Sequence, residues 1–519
     1  MHARYLPIAM LPQHDMYAKG SAPIEGKKRE KAIHCQTIEH AKMPHLHFLL
    51  NGKRWTESDA PPTMTVLDFL RGRARLTGTK EGCAEGDCGA CTIVLGRLGE
   101  GDLHYQAVNS CLMMLPQIDH CAVLTVEGLA GPSGELHPVQ RAMVDTDATQ
   151  CGFCTPGFVM AMFAFHHGGE PAQEAIIHEA LAGNLCRCTG YRSIVEACRR
   201  VAAGPDDRFM AQKPLTRDAL AGLPACKEYR VGEQIFVRPR SLHELFAARA
   251  RFPDALLLAG GTDLGLRVSK GRESIPAVIA VDAVQELREI RTSAGALELG
   301  GAVTYTEALA FFDRHFPSFS ALVRRIGSRQ IRNLGTVAGN LATASPIGDT
   351  LPCLIALGAD VTLASSSGER SMPVESFITG YRQTALLPGE VIRAVRIPFL
   401  QDGQQFAAYK LSKRFDQDIA TVIGAFLLER RNGVVSQFRA AYGGMAPCPM
   451  RAASVEAAVN GKPWIQERMA HIDAAVARDF TPITDHRGGA AYRLRAAANL
   501  LRRFQWETSS RIPLRLEAL

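Results

Sequence analysis

Eight of the fourteen cysteines in this 519-residue chain fall into two compact groups, and their spacing is the strongest chemical signal it carries. Cys83, Cys88 and Cys91 stand in KEGCAEGDCGAC and Cys111 follows in NSC, giving C-x4-C-x2-C with a distant fourth thiol. Four thiolates at that spacing suit a 2Fe-2S cluster. Gly82, Gly86 and Gly89 share the loop. Glycine freely adopts the φ values that turn backbone N–H groups toward sulfur, and such donors stabilise an anionic cluster and tune its potential. A structural zinc site is the alternative, but zinc cysteines usually come as two C-x2-C knuckles, so the four-residue gap favours iron.

The second group pairs Cys151 and Cys154 (QCGFCTPGF) with Cys186 and Cys188 (NLCRCTGYR). Thr155-Pro156 reads as a helix start with threonine as N-cap, and Thr189 reads as the cap of a helix from Tyr191 to Ala203. Both pairs then lie at helix N-termini, whose dipoles favour an anionic cluster. Zinc is a closer rival here than in the first group. Cys35, Cys121, Cys198, Cys226, Cys353 and Cys448 fall outside both groups and read as small buried hydrophobes or incidental thiols.

Two glycine-rich stretches have a second kind of chemistry to offer. Leu257, Leu258 and Ala259 end a short apolar strand that runs into Gly260, Gly261, Thr262, Asp263 and Leu264. A turn of this kind can present N–H groups to a pyrophosphate. Its glycines lack the G-x-G-x-x-G spacing of a Rossmann fingerprint. Some seventy residues on, Arg332 to Leu351 (RNLGTVAGNLATASPIGDTL) gathers small polar residues suited to close backbone approach to a long polar ligand.

The elements that must position these groups begin with two short strands, Leu46 to Leu50 and Lys53 to Trp55, joined at Asn51-Gly52. A short helix from Val66 and strands at Cys91 to Leu95 and Ala122 to Val126 follow. From His137 to Ala203 the apolar spacing turns helical. Residues 205–230 read as a linker punctuated by Pro205 and Pro214. The expected domains are therefore a tail at 1–43, a β-rich unit at 44–130, a helical unit at 131–204, the linker, an α/β region at 231–400 and a small α+β domain at 401–519. Residues 1–43 read as a loose tail or an over-called start, with Met43 as the natural one.

A chain this long exceeds one hydrophobic core. Its 46% apolar and 21% charged residues are those of an ordinary globular protein. No apolar run approaches a membrane span, and the +7 net charge forms no basic stripe, which argues against nucleic acid. Grouped thiols without a signal peptide point to metal in a reducing cytoplasm.

The order C-x4-C-x2-C…C, then C-x2-C…C-x-C, resembles the iron-sulfur part of the molybdenum hydroxylases, the family of xanthine and aldehyde oxidoreductases. The resemblance implies an α+β multidomain fold: a β-grasp, plant-type ferredoxin-like domain, a helical-bundle 2Fe-2S domain, a two-subdomain, non-Rossmann FAD domain and a small C-terminal domain. It carries Leu257 to Leu264 onto one pyrophosphate-facing loop and Thr336, Gly339, Asn340, Ser345 and Asp349 onto another. It places Ile392 and Lys410 at flavin contacts, with Ile419 near the isoalloxazine. Ser412 to Asp418 would shape a nicotinamide site, with Tyr381 as stacking partner. No residue of this chain is expected to be catalytic toward the organic substrate. Clusters and flavin fused in one chain resemble small subunits of bacterial xanthine dehydrogenases. That implies NAD as acceptor, molybdopterin on a large partner subunit, and a heterotetramer. The alternatives are another molybdenum hydroxylase acting on aldehydes or N-heterocycles, a free-standing iron-sulfur flavoprotein carrier, and a structural zinc protein.

Overall fold

The computed structural model describes residues 45–99, 101–202, 207–293 and 295–510. The expected N-terminal tail and Cys35 lie outside them. Leu46–Leu50 and Lys53–Glu57 form the expected hairpin, with Asn51 and Gly52 both at positive φ (49° and 80°), as a two-residue turn requires. The sheet runs Lys53–Glu57, Leu46–Leu50, Ala122–Leu124, Thr92–Gly99, Asp102–Asn109, with the central Leu46–Leu50 and Ala122–Leu124 parallel. A short helix at Val66–Asp68, capped by Thr65, crosses it and completes a β-grasp unit.

Four helices follow, Pro138–Asp145, Thr155–His167, Glu174–Leu181 and Arg192–Ala202. Phe158 to Phe165 is buried all round, so Thr155–His167 is the central helix of the bundle. Phe158 and Phe163 share one core with Val94, Leu103 and Tyr105 of the β-grasp sheet. Both cap expectations shift in detail. Cys154 occupies the N-cap of Thr155–His167, while Thr155 Oγ1 bonds Thr149 Oγ1 instead. The last helix begins at Arg192 because Tyr191 sits at φ 68°, with Thr189 Oγ1 accepting its N–H.

The stretch read as a linker carries a helix, Arg208–Ala221, with Pro214 inside it. Asp207 is its cap: Asp207 Oδ1 accepts from the N–H groups of Phe209 and Met210. The other oxygen of Asp207 accepts from buried His137 and His167 at 2.6 and 2.9 Å, which pins the helix to the bundle.

The next region has two larger sheets and a two-stranded hairpin, Ile378–Gly380 with Gln383–Thr384. One runs Glu228–Val231, Gln234–Val237, Ala277–Ala280, Leu256–Leu258, its last three strands parallel. The other is antiparallel, in the order Ile290–Ser293, Ala296–Gly300, Val391–Pro398, Asp360–Ser365, Gly368–Pro373. The C-terminal part is a four-stranded antiparallel sheet, Gln404–Leu411 through Met450–Arg451, covered by the 21-residue helix Ala490–Ser510. The β-grasp unit does not hang free of this body. Phe48, Phe69 and Met113 share a core with Tyr229, Phe236, Leu258 and Leu334. Among the described residues no helix is long and apolar enough to cross a membrane.

Candidate redox centres

The first cysteine loop wraps tightly. Ala84, Gly86 and Gly89 hold positive φ, and a Cβ on Gly82 would lie 2.6 Å from Cys88 Sγ. The N–H groups of Glu85, Asp87 and Cys88 donate to Cys83 Sγ at 3.3–3.4 Å, and Cys83 N–H donates to Cys88 Sγ at 3.3 Å. Contact with Cys88 and these donors hold the Cys83 thiol down at about 5 against the effect of burial. Cys91 and Cys111, both buried, bring their sulfurs to 3.3 Å.

The second group is also paired. Cys151 and Cys188 stand 3.7 Å apart at the surface, while Cys154 meets buried Cys186. Burial raises the Cys186 thiol, but hydrogen bonds from Thr189 and from Cys188 N–H prevail and bring it to about 7. Tyr191 Oη accepts the Cys186 N–H at 2.9 Å. Among the described residues no three His, Cys, Asp or Glu side chains are gathered closely enough to enclose a single ion. Thiols meeting two by two match a binuclear cluster, with two thiolates to each iron, better than a four-thiolate zinc site. The two loops touch: Leu185 N–H donates to the Cys88 carbonyl at 3.0 Å.

The two glycine stretches also meet. A Cβ on Gly260 would lie 1.7 Å from the Leu334 carbonyl oxygen, so the backbones are in direct contact. Gly261 sits at φ 81°. Leu258 is core, Leu257, Ala259 and Leu264 are half-buried, and Asp263 is exposed, paired with Arg382 at 3.3 Å. Thr336 Oγ1 caps Val337–Thr343 by accepting from Gly339 N–H, and Ser345 Oγ accepts from Ile347 N–H. Beside them opens a cleft of about 300 Å³ whose wall includes Asn340, Asp349, Lys410 and Ile419. Lys410 Nζ bonds Asp349 at 2.6 Å; burial pushes that carboxyl up and the lysine opposes it. Ile392 is a buried strand residue of the neighbouring core and is not part of the wall. Tyr381 is exposed at a hairpin tip.

Of the other wall residues, Asp87 comes from the first cysteine loop and Gln417 from the Ser412–Asp418 loop expected to shape a nicotinamide site, whereas Ile326, Thr421, His486 and Arg487 lie outside every sequence expectation. Gln417 donates to the Ala182 carbonyl, while its buried Oε1 has no partner among the described residues. Asp87 sits within the first cysteine loop. The cleft therefore lies beside the first cysteine group. Gly265 packs on the Leu112 carbonyl, next to Cys111.

Four family models match in succession: a 2Fe-2S iron-sulfur cluster binding domain at 48–115, a 2Fe-2S binding domain at 125–199, the FAD binding domain in molybdopterin dehydrogenase at 228–400, and the CO dehydrogenase flavoprotein C-terminal domain at 407–508. The chain belongs to the molybdenum hydroxylase family, as its iron-sulfur and FAD part. Xanthine dehydrogenase/oxidase of Gallus gallus is 31% identical, over 81% of this chain and 36% of that protein. Xanthine dehydrogenase of Drosophila pseudoobscura pseudoobscura is 34% identical, over 78% and 35%. The chain thus spans well under half the length of these relatives. Among solved structures, carbon monoxide dehydrogenase from Hydrogenophaga pseudoflava is 28% identical, with a TM-score of 0.49 over 52% of this chain and 94% of that one. Two 2Fe-2S clusters and FAD are the cofactors of this molybdenum hydroxylase part, which makes it an oxidoreductase component. The paired thiols, the close-approach glycines and the polar cleft are a donor set that fits them.

Proposed function

We propose that the chain is the electron-transfer subunit of a molybdenum-dependent xanthine dehydrogenase, relaying electrons from molybdopterin on a partner subunit to NAD during hypoxanthine and xanthine oxidation. Cys83, Cys88, Cys91 and Cys111 would hold one cluster and Cys151, Cys154, Cys186 and Cys188 the other. The Leu257–Leu264 turn, Thr336, Gly339, Asn340, Ser345, Asp349, Ile392 and Lys410 would serve FAD. The clusters supply one-electron chemistry, and the flavin joins it to the two-electron reduction of NAD.

The observation that carries this reading is the order of exposure. Cys151 and Cys188 open to the surface among exposed Val144, Phe153, Leu185 and Tyr191, beside an apolar hollow of about 300 Å³. A redox centre with a bare apolar rim suits docking of an electron donor. Cys91 and Cys111 of the first group are buried, and its loop reaches the flavin cleft through Asp87, which supports an order of centres from surface to acceptor. The relatives named xanthine dehydrogenase support the substrate. The thirteen described cysteines are free of disulfides, which fits a reducing cytoplasm.

Purification from the native source tests the proposal. A molybdopterin-bearing partner in a two-plus-two assembly, and NAD reduction faster with xanthine or hypoxanthine than with aldehydes or N-heterocycles, is the expected result. NAD reduction driven by an aldehyde alone would move the chain to another molybdenum hydroxylase. A monomer that oxidises NADH without a partner would make it a free-standing carrier.

A further inference from the structure

Where the β-grasp unit, the helical bundle and the flavin domain meet, three wholly buried polar side chains share one hydrogen-bond network: Thr92, Asn184 and Gln330, at 1%, 2% and 0% exposure. Thr92 directly follows the ligand position Cys91, and Asn184 lies two residues before Cys186. Gln330 belongs to the short helix Arg329–Arg332 of the flavin domain. The Gly89 carbonyl accepts from Thr92 N–H, Thr92 Oγ1 and Asn184 Nδ2 at 3.0, 2.7 and 2.9 Å. Gln330 Nε2 donates to Asn184 Oδ1 at 2.8 Å, and both amides donate to Thr92 Oγ1 at 3.2–3.3 Å.

The direction of every bond follows from one backbone group. A carbonyl only accepts, so Asn184 must turn its NH₂ to Gly89; its oxygen then faces Gln330, which must answer with its own NH₂. Thr92 donates once and accepts twice, which uses its full capacity. The surrounding packing leaves no slack. A Cβ on Gly89 would lie 2.2 Å from the Gly183 carbonyl oxygen, one on Gly157 2.3 Å from the Gly89 carbonyl oxygen, and one on Gly183 2.0 Å from Gln330 Oε1. Every side-chain polar atom of the three is bonded except Gln330 Oε1, which has no partner among the described residues, and the bonds that are made fix one geometry.

We propose that Asn184 is a positioning residue that sets the spacing and relative orientation of the two clusters, with Gln330 bracing it from the flavin domain. The Asn184 amide and the Leu185 N–H grip Gly89 and Cys88, adjacent residues of the first ligand loop, from the residues that immediately precede Cys186. When one electron moves between the clusters, one is oxidised and the other reduced, and no bond or proton changes. The requirement on the protein is therefore a constant separation, and this staple supplies it.

The inference rests on the two-cluster assignment, and the test separates the two. Full-length protein carrying clusters and FAD is reduced with dithionite and its EPR spectrum recorded, with iron quantified in the same samples. If the parent protein shows no iron-sulfur signals, the cluster assignment fails and the role of Asn184 falls with it. With both clusters present, Asn184→Ala is expected to keep the parent's iron content. It should lose or reduce the splitting from magnetic coupling between the clusters, which falls with the cube of their distance, and shift the potential of the first cluster. Outer partners of metal ligands typically matter on the order of tenfold, so intercluster electron transfer in stopped flow should slow by roughly that factor. Unchanged splitting and potential at full iron loading overturns the proposal. Should Asn184→Ala not accumulate, Gln330→Met removes the brace alone: a weaker splitting supports the proposal and an unchanged spectrum overturns it.

Discussion

Replacing Gly260 with alanine tests whether the contact between the two glycine stretches builds the FAD site. The added Cβ would lie 1.7 Å from the Leu334 carbonyl oxygen, 2.3 Å from its carbon and 2.9 Å from Gly335 N, all backbone atoms with no side-chain freedom to yield. Ordinary carbon contacts need about 3.5–4.0 Å, so the stretches must part by roughly 2 Å. Overpacking of this kind costs about 1–3 kcal/mol. If the strain is released only by opening the loops that FAD draws together, affinity falls by about 5–150-fold. The assay is FAD titration of deflavinated protein by fluorescence, alongside flavin-to-iron ratios of protein as purified. Gly72→Ala is the control, because nothing lies within 4 Å of a Cβ there. Gly260→Ala with the parent's FAD affinity and thermal stability would refute the reasoning, since the loops would then tolerate separation without consequence to the flavin.

Cys151→Ser and Cys83→Ser should each lower bound iron from about four atoms per chain to about two, with different EPR signals lost. Cys198→Ala, at a buried thiol pushed up to about 12 by burial, should leave iron unchanged; equal loss in all three would mean the thiols do not divide into two sites. Asp207 gives a pH test. Burial opposes its ionisation, but hydrogen bonds from His137 and His167 prevail and hold its carboxyl well below the usual range. Its contribution is therefore present above the unfolded carboxylate value and lost as pH falls through the folded one. Asp207→Asn should lower the melting temperature near pH 7 and narrow the gap to the parent on acidification. A gap that widens with acid would contradict this sign.

The cysteines were legible because a cluster's ligands lie mostly on one short loop, where spacing and glycine content speak directly. Helix starts were legible only to within a few residues. At Thr155 the hydroxyl found Thr149 in place of the N-cap role, a tertiary choice no local pattern records. The helix Arg208–Ala221 was hidden by Pro205 and Pro214, which read as linker punctuation, and only the two buried histidines from distant segments decide the role of Asp207. The cleft was half legible. Asn340 and Asp349 belong to a polar stretch that stands out, Lys410 and the loop of Gln417 were marked only by the family resemblance, and Arg487 comes from a segment with no motif and acquires a role only when the chain is folded.

A linker at 205–230 would leave the units on either side of it joined by a loose tether, and the packing argues otherwise. A β-grasp unit joined by a flexible tether would close its own core and present a polar face to its neighbours. Here that core is completed by Tyr229, Phe236 and Leu258 on one side, and its second face by Phe158 and Phe163 of the bundle on the other. Domain motion would expose these side chains, each at a cost of about 1.5–3 kcal/mol, and would break the buried bond of Arg332 to Glu179 between flavin domain and bundle. Mobile domains serve a protein that carries a substrate between stations. Fixed ones serve a protein whose cargo is an electron, because the electron does not wait for the chain to bring its centres together; the shared cores are the feature of this fold that answers to that demand.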